Sequence, residues 1–533
     1  MASFWGEVRH RNGIKAAVAY VAATLIAAGC TLVGPDFEQP DVEVNTEWES
    51  FESKTIKSEL PETAEWWKAF NDPTLDTLID IAYAENLSLE AAGLRVLEAR
   101  AQLGIAVGTI YPQQQTIDGA AIYTDRSQNA PNTAGGDLTY WQYNLGLNVG
   151  WELDFWGRFR RGIESADAAL LSSVAGYDAV LVLLLSQVVD TYIVIRATEA
   201  QLAISRDNVD LQSKSYDITD ALYRNGEQSE LDKQQALTLL LSTEATIPDL
   251  QTTLDQTRNA LSILLGRPPG DIKQLIGASG AIPESPVDVG VGIPADLLRR
   301  RPDVRQAELQ AAAQSALIGV AAADLYPSFV LTGSVGLVSA SGTDSSRNGG
   351  SLFDADSLQF TGGPAFNWPF LNYGRLKNNV RVQDARFQQT IVNYENTVLN
   401  ATREVEDAIT GYVRGQTQQE ILQRGVEAAR RSTVISMLRY QEGFSDYQRV
   451  LNAQQSLFGQ QQRYINARSG TVRSLTALYK SLGGGWEIRG AGNFVDEDTI
   501  NTMQQRTDWG KLLQIETIET PEKTDKVFPK PDW

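Results

Sequence analysis

The stretch from Trp141 to Phe155 alternates strictly between apolar and polar positions. Its odd-numbered positions all carry large apolar side chains, and its even-numbered positions carry Gln, Asn, Gly, Glu and Asp. A period of two predicts a β-strand with one face in an apolar medium and the other in water. The run is longer than most soluble strands and long enough to cross a bilayer as a tilted strand. By itself the pattern fits a membrane strand and a long soluble strand equally well.

Beyond residue 157 the hydrophobic period changes from two to seven. No proline interrupts the chain between Gly162 and Tyr223, so the pattern predicts one helix of roughly 60 residues and about 90 Å. A second line, from Leu240 to Leu261, predicts a returning helix with a kink at Pro248. The apolar residues of the first line stand seven apart: Val174, Leu181, Val188, Ile195, Leu202, Val209, Tyr216 and Tyr223.

The whole arrangement occurs twice in the chain. Tyr111-Pro112 recurs 215 positions later as Tyr326-Pro327, and the later landmarks all recur at a distance of 217. A constant spacing over so many landmarks indicates an internal duplication. The pairs at 217 positions are Trp156-Gly157-Arg158 with Tyr373-Gly374-Arg375, Tyr223 and Gly226 with Tyr440 and Gly443, Ala236 and Leu240 with Ala453 and Leu457, and Leu265-Gly266 with Leu482-Gly483.

Each copy is predicted to contain two strands and two long helices. The second copy has strands from Phe329 to Leu337 and from Leu358 to Phe370, although Pro364 is awkward inside a paired strand. Four membrane strands cannot close a barrel, and an open sheet edge cannot lie in lipid. Several chains must therefore share one barrel: two would give eight strands, and three would give twelve with an aqueous lumen.

The amino terminus has the organisation of a secretory signal peptide. Basic residues precede an apolar run, which ends at Ala27-Ala28-Gly29-Cys30 and resembles the lipobox of a bacterial lipoprotein. Cys30 is therefore predicted to be acylated. The alternative is an ordinary signal peptide with an incidental cysteine. Thr31 replaces the Asp that would favour inner-membrane retention, so the outer membrane is expected.

Composition argues against nucleic-acid binding and against catalysis. Removal of residues 1–29 would change the net charge from −20 to about −22, and no basic patch would remain to bind nucleic acid. Cys30 is the only cysteine, and His10, the only histidine, would leave with the signal peptide. The mature chain lacks the commonest general base, metal ligand and thiol nucleophile. We therefore predict no enzyme activity, no metal and no cofactor.

Motifs, order and duplication together resemble the TolC/OprM-like outer-membrane efflux family, in its NodT-type lipoprotein branch. The resemblance implies an α+β membrane protein: a trimeric 12-stranded β-barrel, four strands per chain, continued by a long periplasmic α-helical barrel. An equatorial belt would comprise residues 65–107, residues 297–323 and the carboxyl-terminal tail. The motifs that carry the resemblance are Cys30 with Val33-Gly34-Pro35-Asp36-Phe37, the segment from Ile293 to Val304 with Arg299-Arg300-Arg301, both Tyr-Pro pairs and both hairpin tips.

The duplication and the resemblance divide the chain into nine expected parts. These are a signal peptide (1–29), a lipidated extension (30–64), equatorial helices (65–110), a first β-hairpin (111–156), a first long helical pair (157–266), a linker with an equatorial helix (267–325), a second β-hairpin (326–371), a second long helical pair (372–482) and an equatorial tail (483–533). Little periodicity follows Gly485, so the position of the tail is not predicted by pattern.

The implied function is the exit duct of a tripartite efflux system. The duct would be a homotrimer, lipid-anchored in the outer membrane and extending into the periplasm, with a periplasmic adaptor protein and an inner-membrane pump as partners. Alternatives are the exit duct of a type I protein secretion system, a trimeric surface adhesin, a lipid-processing barrel enzyme and a soluble coiled-coil scaffold. An adhesin would gather its strands at the carboxyl terminus, whereas here they lie inside each repeat.

The two hairpin tips contain the candidate functional residues. Gly226 and Gly443 permit a left-handed turn without any function, and by resemblance they would also face the adaptor. The family usually has an Asp and an Arg where this chain has Asn452 and Gln455, and neutral amides cannot form an ion pair. We therefore assign the periplasmic gate to Asp232, Tyr440, Asp446 and Arg449, with Asn452 and Gln455 as its neutral members.

Two further charged groups have mainly structural interpretations. Arg299-Arg300-Arg301 is expected to form a solvated or salt-bridged helix start beside Pro302. Glu152 and Asp154, at the end of the first long strand, could also give the lumen an acidic, cation-preferring character.

Overall fold

The computed structural model describes residues 32–45, 48, 56–57, 64–129, 131, 138–270, 272–285, 289–291, 300–342, 351–490 and 494–513. The predicted signal peptide, Cys30 and Arg299 lie outside these residues. The labelled helices, in chain order, are α1 (Pro73–Glu85), α2 (Leu87–Gly108), α3 (Arg158–Arg224), α4 (Glu230–Glu244), α5 (Thr246–Leu264), α6 (Pro302–Ala323), α7 (Arg375–Gln441), α8 (Tyr447–Ser481) and α9 (Glu497–Arg506).

Four long strands form one antiparallel sheet in the order β1-β2-β3-β4. The two edge strands, β1 and β4, have no further partner within the described part of the chain. Pro364 lies inside β4 opposite Leu331, where an edge strand tolerates a missing backbone donor. The strands are β1 (Gln114–Asp125), β2 (Thr139–Leu153), β3 (Ser328–Gly342) and β4 (Leu358–Asn367). The predicted strands are confirmed, but β2 ends before Phe155 and β4 ends before Phe370.

The register gathers the large apolar side chains on one face of the sheet. Leu147 pairs with Ile117 on one side and with Val335 on the other, and Val335 pairs with Phe360. All four side chains are exposed in the single chain. A contiguous exposed apolar face of this kind is typical of a surface that contacts lipid or another protein.

The duplication is confirmed by the two longest helices. Both α3 and α7 contain 67 residues, and they begin 217 positions apart. Each follows a glycine in the left-handed region, Gly157 at φ 77° and Gly374 at φ 79°. A stretch of α3 is apolar enough to span a membrane, with a mean hydropathy of 2.0, but 61% of it is buried inside the protein. Its apolar character therefore serves the core.

The returning helices differ between the repeats. The kink predicted in the first repeat lies at Ala245, three residues before Pro248, where a single residue with helical dihedrals separates α4 from α5. In the second repeat α8 runs without interruption for 35 residues.

The predicted heptad line of α3 is confirmed only in its upper part. The apolar positions from Val174 to Leu202 are buried, whereas Val209 and Tyr216 are half-buried and Tyr223 is exposed. The single long helix is as predicted, but in its lower part polar residues occupy the buried line. This polar seam comprises Ser205, Asn208, Gln212, Ser215 and Thr219, still spaced three and four apart.

The equatorial elements wrap the upper parts of the long helices. Asn86 ends α1 and caps α2, since its side chain accepts a hydrogen bond from the Leu89 amide (2.9 Å). The tail, whose position the sequence pattern did not predict, packs here as well. The Phe494 carbonyl touches Gly93 of α2, and the Phe494 ring packs edge-on against Tyr177 of α3 (5.2 Å).

Candidate functional site at the helical tips

The turns at the two tips have the same backbone geometry. Gly226 and Gly443 adopt left-handed conformations at φ 75° and φ 76°, as the structural interpretation requires. The amide of Gly226 donates to the Tyr223 carbonyl (2.9 Å), and that of Gly443 donates to the Tyr440 carbonyl (3.0 Å). No heavy atom lies within 4 Å of a Cβ built at either glycine. Their role as adaptor-facing turns stays a prediction.

Tyr440 is the buried anchor of the second tip. Its ring packs edge-on against Tyr447, with centroids 5.3 Å apart, and the Tyr447 hydroxyl lies 3.1 Å from that of Ser215 on α3. The Tyr440 hydroxyl points toward Thr219 without a hydrogen bond of standard geometry. Burial raises the pKa of both tyrosines, so both stay neutral. The pair holds α7 and α8 against the polar seam of α3.

The first tip carries a charged network in place of a buried tyrosine. Tyr223 is exposed, with the Lys233 ammonium 5.2 Å from its ring centroid. Asp220 pairs with Lys233 and with Arg224, each at 2.7 Å. The hydrogen bond from Lys233 lowers the pKa of Asp220. Sequence reasoning missed this network, although the four-residue spacing of Asp220 and Arg224 was a usable signal.

The structure brings together only part of the predicted gate. Asp232 is half-buried, and its charge contributes to the raised pKa of Tyr440. Asp446 and Arg449 are 71% and 76% exposed, and their charged atoms are 3.9 Å apart. Within the chain they therefore form a weak surface pair.

The two neutral members of the predicted gate lie on α8. Asn452 accepts a hydrogen bond from Gln448 (3.0 Å), one turn earlier on the same helix, and Gln455 is exposed. Neither is shown to contact α3. The roles of all six gate residues stay predictions.

Above the tips, amide side chains join α3 to α8. Asn208 donates to Gln461 (2.8 Å), and Gln201 donates to Asn466 (2.7 Å). Gln212 and Gln454 are 1% and 0% exposed, and neither amide has a hydrogen-bond partner. An interface with unsatisfied buried amides is weaker than an apolar one. Sequence reasoning missed it, because it assumed that buried positions are apolar.

The acids at the end of β2 are already neutralised. Asp154 pairs with Arg160 (3.1 Å), and Glu152 lies 3.5 Å from Arg158. This pairing counts against their proposed contribution to an acidic lumen.

The expected salt-bridged start of α6 is confirmed at Arg301. This side chain is buried, pairs with Asp303 (2.8 Å) and Glu404 (2.9 Å), and donates to the Ser481 carbonyl (2.7 Å). In the described part of the chain, no group of three or more His, Cys, Asp or Glu side chains could hold a metal ion.

Comparisons with known proteins agree with the fold. The sequence profile described as "Outer membrane efflux protein" matches residues 78–267 and 293–484. Nodulation protein T of Rhizobium leguminosarum bv. trifolii is 30% identical over 87% of this chain and 96% of its own length. Cation efflux system protein CusC of Escherichia coli (strain CFT073) is 31% identical over 87% of this chain and 97% of its own length. The solved outer-membrane channel OprN is similar with a TM-score of 0.79 and 30% identity, covering 86% of this chain and 100% of that chain.

Proposed function

Because the chain belongs to the outer membrane efflux protein family, we propose that three copies form one gated duct, which passes substrates from a periplasmic adaptor and an inner-membrane pump to the exterior. The protein is an outer-membrane channel of a tripartite efflux system and extends into the periplasm. One observation carries the proposal of a shared barrel. In the described part of the chain the four-stranded sheet has two unpaired edges and an exposed apolar face, and further copies of the chain would close it in lipid.

The duct is proposed to be passive and to carry out no chemistry. Energy would come from the partner pump, and control would come from separation of the helical tips. Acylation of Cys30 would add a lipid anchor beside the barrel, since Leu32, two residues later, lies against Gly157 at the start of α3.

The gate is proposed to open where α7 and α8 leave α3. Tyr440 and Tyr447 rest on Ser215 and Thr219, and this contact is small and partly polar. The seam above it contains unsatisfied amides, so α7 and α8 can separate from α3 at low cost. Asp232 adds negative charge beside the tyrosines. Asp446 and Arg449, exposed in one chain, are proposed to contact the next copy.

Single-channel conductance of the purified trimer in planar bilayers tests this gate. We expect Tyr440→Ala to raise closed-state leakage several-fold, and Tyr223→Ala, at the exposed equivalent position, to leave it nearly unchanged. Asp232→Ala, Asp446→Ala and Arg449→Ala should each raise leakage by a smaller factor. If all three charge variants and Tyr440→Ala leak no more than the wild type, the gate assignment is wrong.

A further inference from the structure

At the junction where strand becomes helix, every basic side chain of the first repeat has an acidic partner. Three arginines stand at the start of α3, and acids from several segments pair with all of them. The pairs are Arg158 with Glu152 (3.5 Å) and Asp324 (3.6 Å), Arg160 with Asp154 (3.1 Å), and Arg161 with Asp36 (2.8 Å) and Glu164 (2.8 Å).

The amino-terminal segment also covers this first junction. The Val33 amide donates to the Trp156 carbonyl (3.1 Å), and Leu32 lies against Gly157. Arg161 donates to the Gly34 carbonyl (3.3 Å) and so holds the amino-terminal segment against α3. The chain immediately after the candidate lipid anchor is therefore fixed at the first junction.

The second junction has different charges: Lys377 stands where the first repeat has Arg160, Asn378 where it has Arg161, and Arg381 where it has the acid Glu164. Pro369 and Leu371 stand where the first repeat has Glu152 and Asp154. Lys377 and Arg381 are exposed and form no ion pair with any described residue. Arg381 donates only to the neutral Asn378 side chain (3.0 Å). Asp384, the nearest acid along this side of α7, pairs with neither.

Lys377 and Arg381 lie on an exposed side of α7 in the single chain. They are four residues apart, so they share one face of the helix. Val398 stands on the same heptad line, 21 residues after Lys377. It is buried, and Val42 and Val44 of the amino-terminal segment pack against its cluster. The corresponding line of α3, through Val174 and Leu181, packs under the equatorial elements.

Aromatic residues place the same two cations at the edge of the membrane. Trp151 and Trp368 occupy equivalent positions and donate their indole N–H groups to the carbonyls of Ile110 (2.9 Å) and Leu325 (3.1 Å). Paired tryptophans at the ends of membrane strands are typical of the interfacial belt. Below Trp368, Phe370 is exposed and Tyr373 is 97% exposed. Lys377 and Arg381 follow within about 10 Å of the start of α7, measured along the helix axis.

We propose that Lys377 and Arg381 bind the phosphate of an anionic phospholipid in the periplasmic leaflet, at one site per chain and three per trimer. No carboxylate in the described part of the chain forms an ion pair with either cation, although Asp384 follows Arg381 by one turn. Thr109 is the first-repeat equivalent of Asp324, so the next copy would offer a neutral residue where Arg158 meets an acid, and Asp36 already pairs with Arg161. Arg375 is not part of the site, because it lines a 260 Å³ cavity together with Asp154 and Asp324.

Around the trimer, two kinds of attachment to the membrane would then alternate, one at the first junction of each chain and one at the second. The amino-terminal segment holds the first junction of each chain, and lipid headgroups hold the second. This attachment is independent of transport and goes beyond the proposed function.

Native mass spectrometry of the full-length trimer in a non-ionic detergent tests the site, with phosphatidylglycerol and phosphatidylcholine as probes. We expect three tightly retained phosphatidylglycerol molecules, and at least about tenfold weaker retention of phosphatidylcholine, since each basic side chain near a headgroup adds a substantial attraction. Lys377→Gln with Arg381→Gln should weaken phosphatidylglycerol binding about tenfold or more.

Two controls keep the test specific. Arg424→Gln with Arg431→Gln removes the same charge from exposed positions farther down α7 and should leave binding unchanged. Lys377→Arg with Arg381→Lys preserves charge and should preserve binding. The proposal is overturned if the glutamine pair at 377 and 381 binds like the wild type, if the lower pair weakens binding equally, or if millimolar inorganic phosphate displaces the lipid.

Discussion

The two 67-residue helices have the same length and the same glycine turns at both ends, yet they have opposite surroundings. Within one chain α3 is enclosed by α2, α6, α8 and the equatorial elements, and it buries its heptad line from Val174 to Leu202. Apolar side chains of α7 at Val392, Leu399 and Ile421 stay exposed. The second repeat is therefore the incomplete one. Its helix is more polar than α3, and its exposed apolar side chains mark the face where another copy is expected to pack.

The largest effect should come from a charge placed on the exposed face of α7. Leu399 is 60% exposed, whereas Val182, its equivalent in α3, is 6% exposed. We expect Leu399→Glu to leave a folded chain that no longer forms trimers, because the charge would be buried against the next copy. Val182→Glu should prevent the chain itself from folding. Size-exclusion chromatography and circular dichroism in detergent separate the two outcomes. A normal Leu399→Glu trimer would contradict the comparison.

The contact of residues 32–37 with Arg161 distinguishes the junctions of the two repeats. Arg161→Ala removes a buried cation with two acidic partners, and we expect a loss of about 3 kcal/mol in the attachment of residues 32–37. Hydrogen exchange of these amides should accelerate about a hundredfold as a result. Asn378→Ala, at the equivalent position of α7, should leave the exchange of these amides unchanged. Equal hydrogen exchange of residues 32–37 in the two variants would show that Arg161 is not needed to hold this segment.

The glycine turns before the two helices give a smaller, matched comparison. An alanine at either position adopts an unfavourable left-handed conformation, which costs about 1 to 2 kcal/mol. At Gly157 the new Cβ would also lie 2.5 Å from Leu32 Cδ2, whereas at Gly374 the nearest atom, Asn378 Nδ2, is 3.8 Å away. Gly157→Ala should therefore lower the thermal unfolding temperature more than Gly374→Ala does. The reverse order would argue against the fixed position of Leu32.

The smallest effect concerns Tyr192, whose equivalent in α7 is Ile409. Burial, together with donation to Asp72 (2.6 Å), raises the pKa of Tyr192 to about 12. Its stabilising contribution is present below its unfolded pKa of about 10 and is lost as pH rises through about 12. Tyr192→Phe should cost about 1 kcal/mol at neutral pH, and the difference from wild type should vanish between pH 10 and 12. Thermal unfolding across this range measures it, and a constant difference would contradict the shift.

The sequence predicted the features that repeat and the features that alternate. Landmarks 217 positions apart predicted two long helices with equal turns, and the alternation from Trp141 predicted β2 and its apolar face. Contacts between distant segments left no such pattern. Asp36 pairs with Arg161 across 125 positions, and Phe494 packs on Tyr177. Asp36 and Phe494 both lie outside the periodic stretches. The polar seam was missed because its heptad spacing is carried by serine, threonine and amides.

The equal length of the two helices also limits how this channel can evolve. Each of the 67-residue helices spans about 100 Å, which fixes the distance from the membrane to the tip. An insertion of one residue into either helix would turn every position below it by about 100° and lift one tip above the other. The strands of the two repeats can differ in length, because the loops between them absorb the difference. Changes in reach across the periplasm would therefore have to occur in both repeats together, in whole heptads.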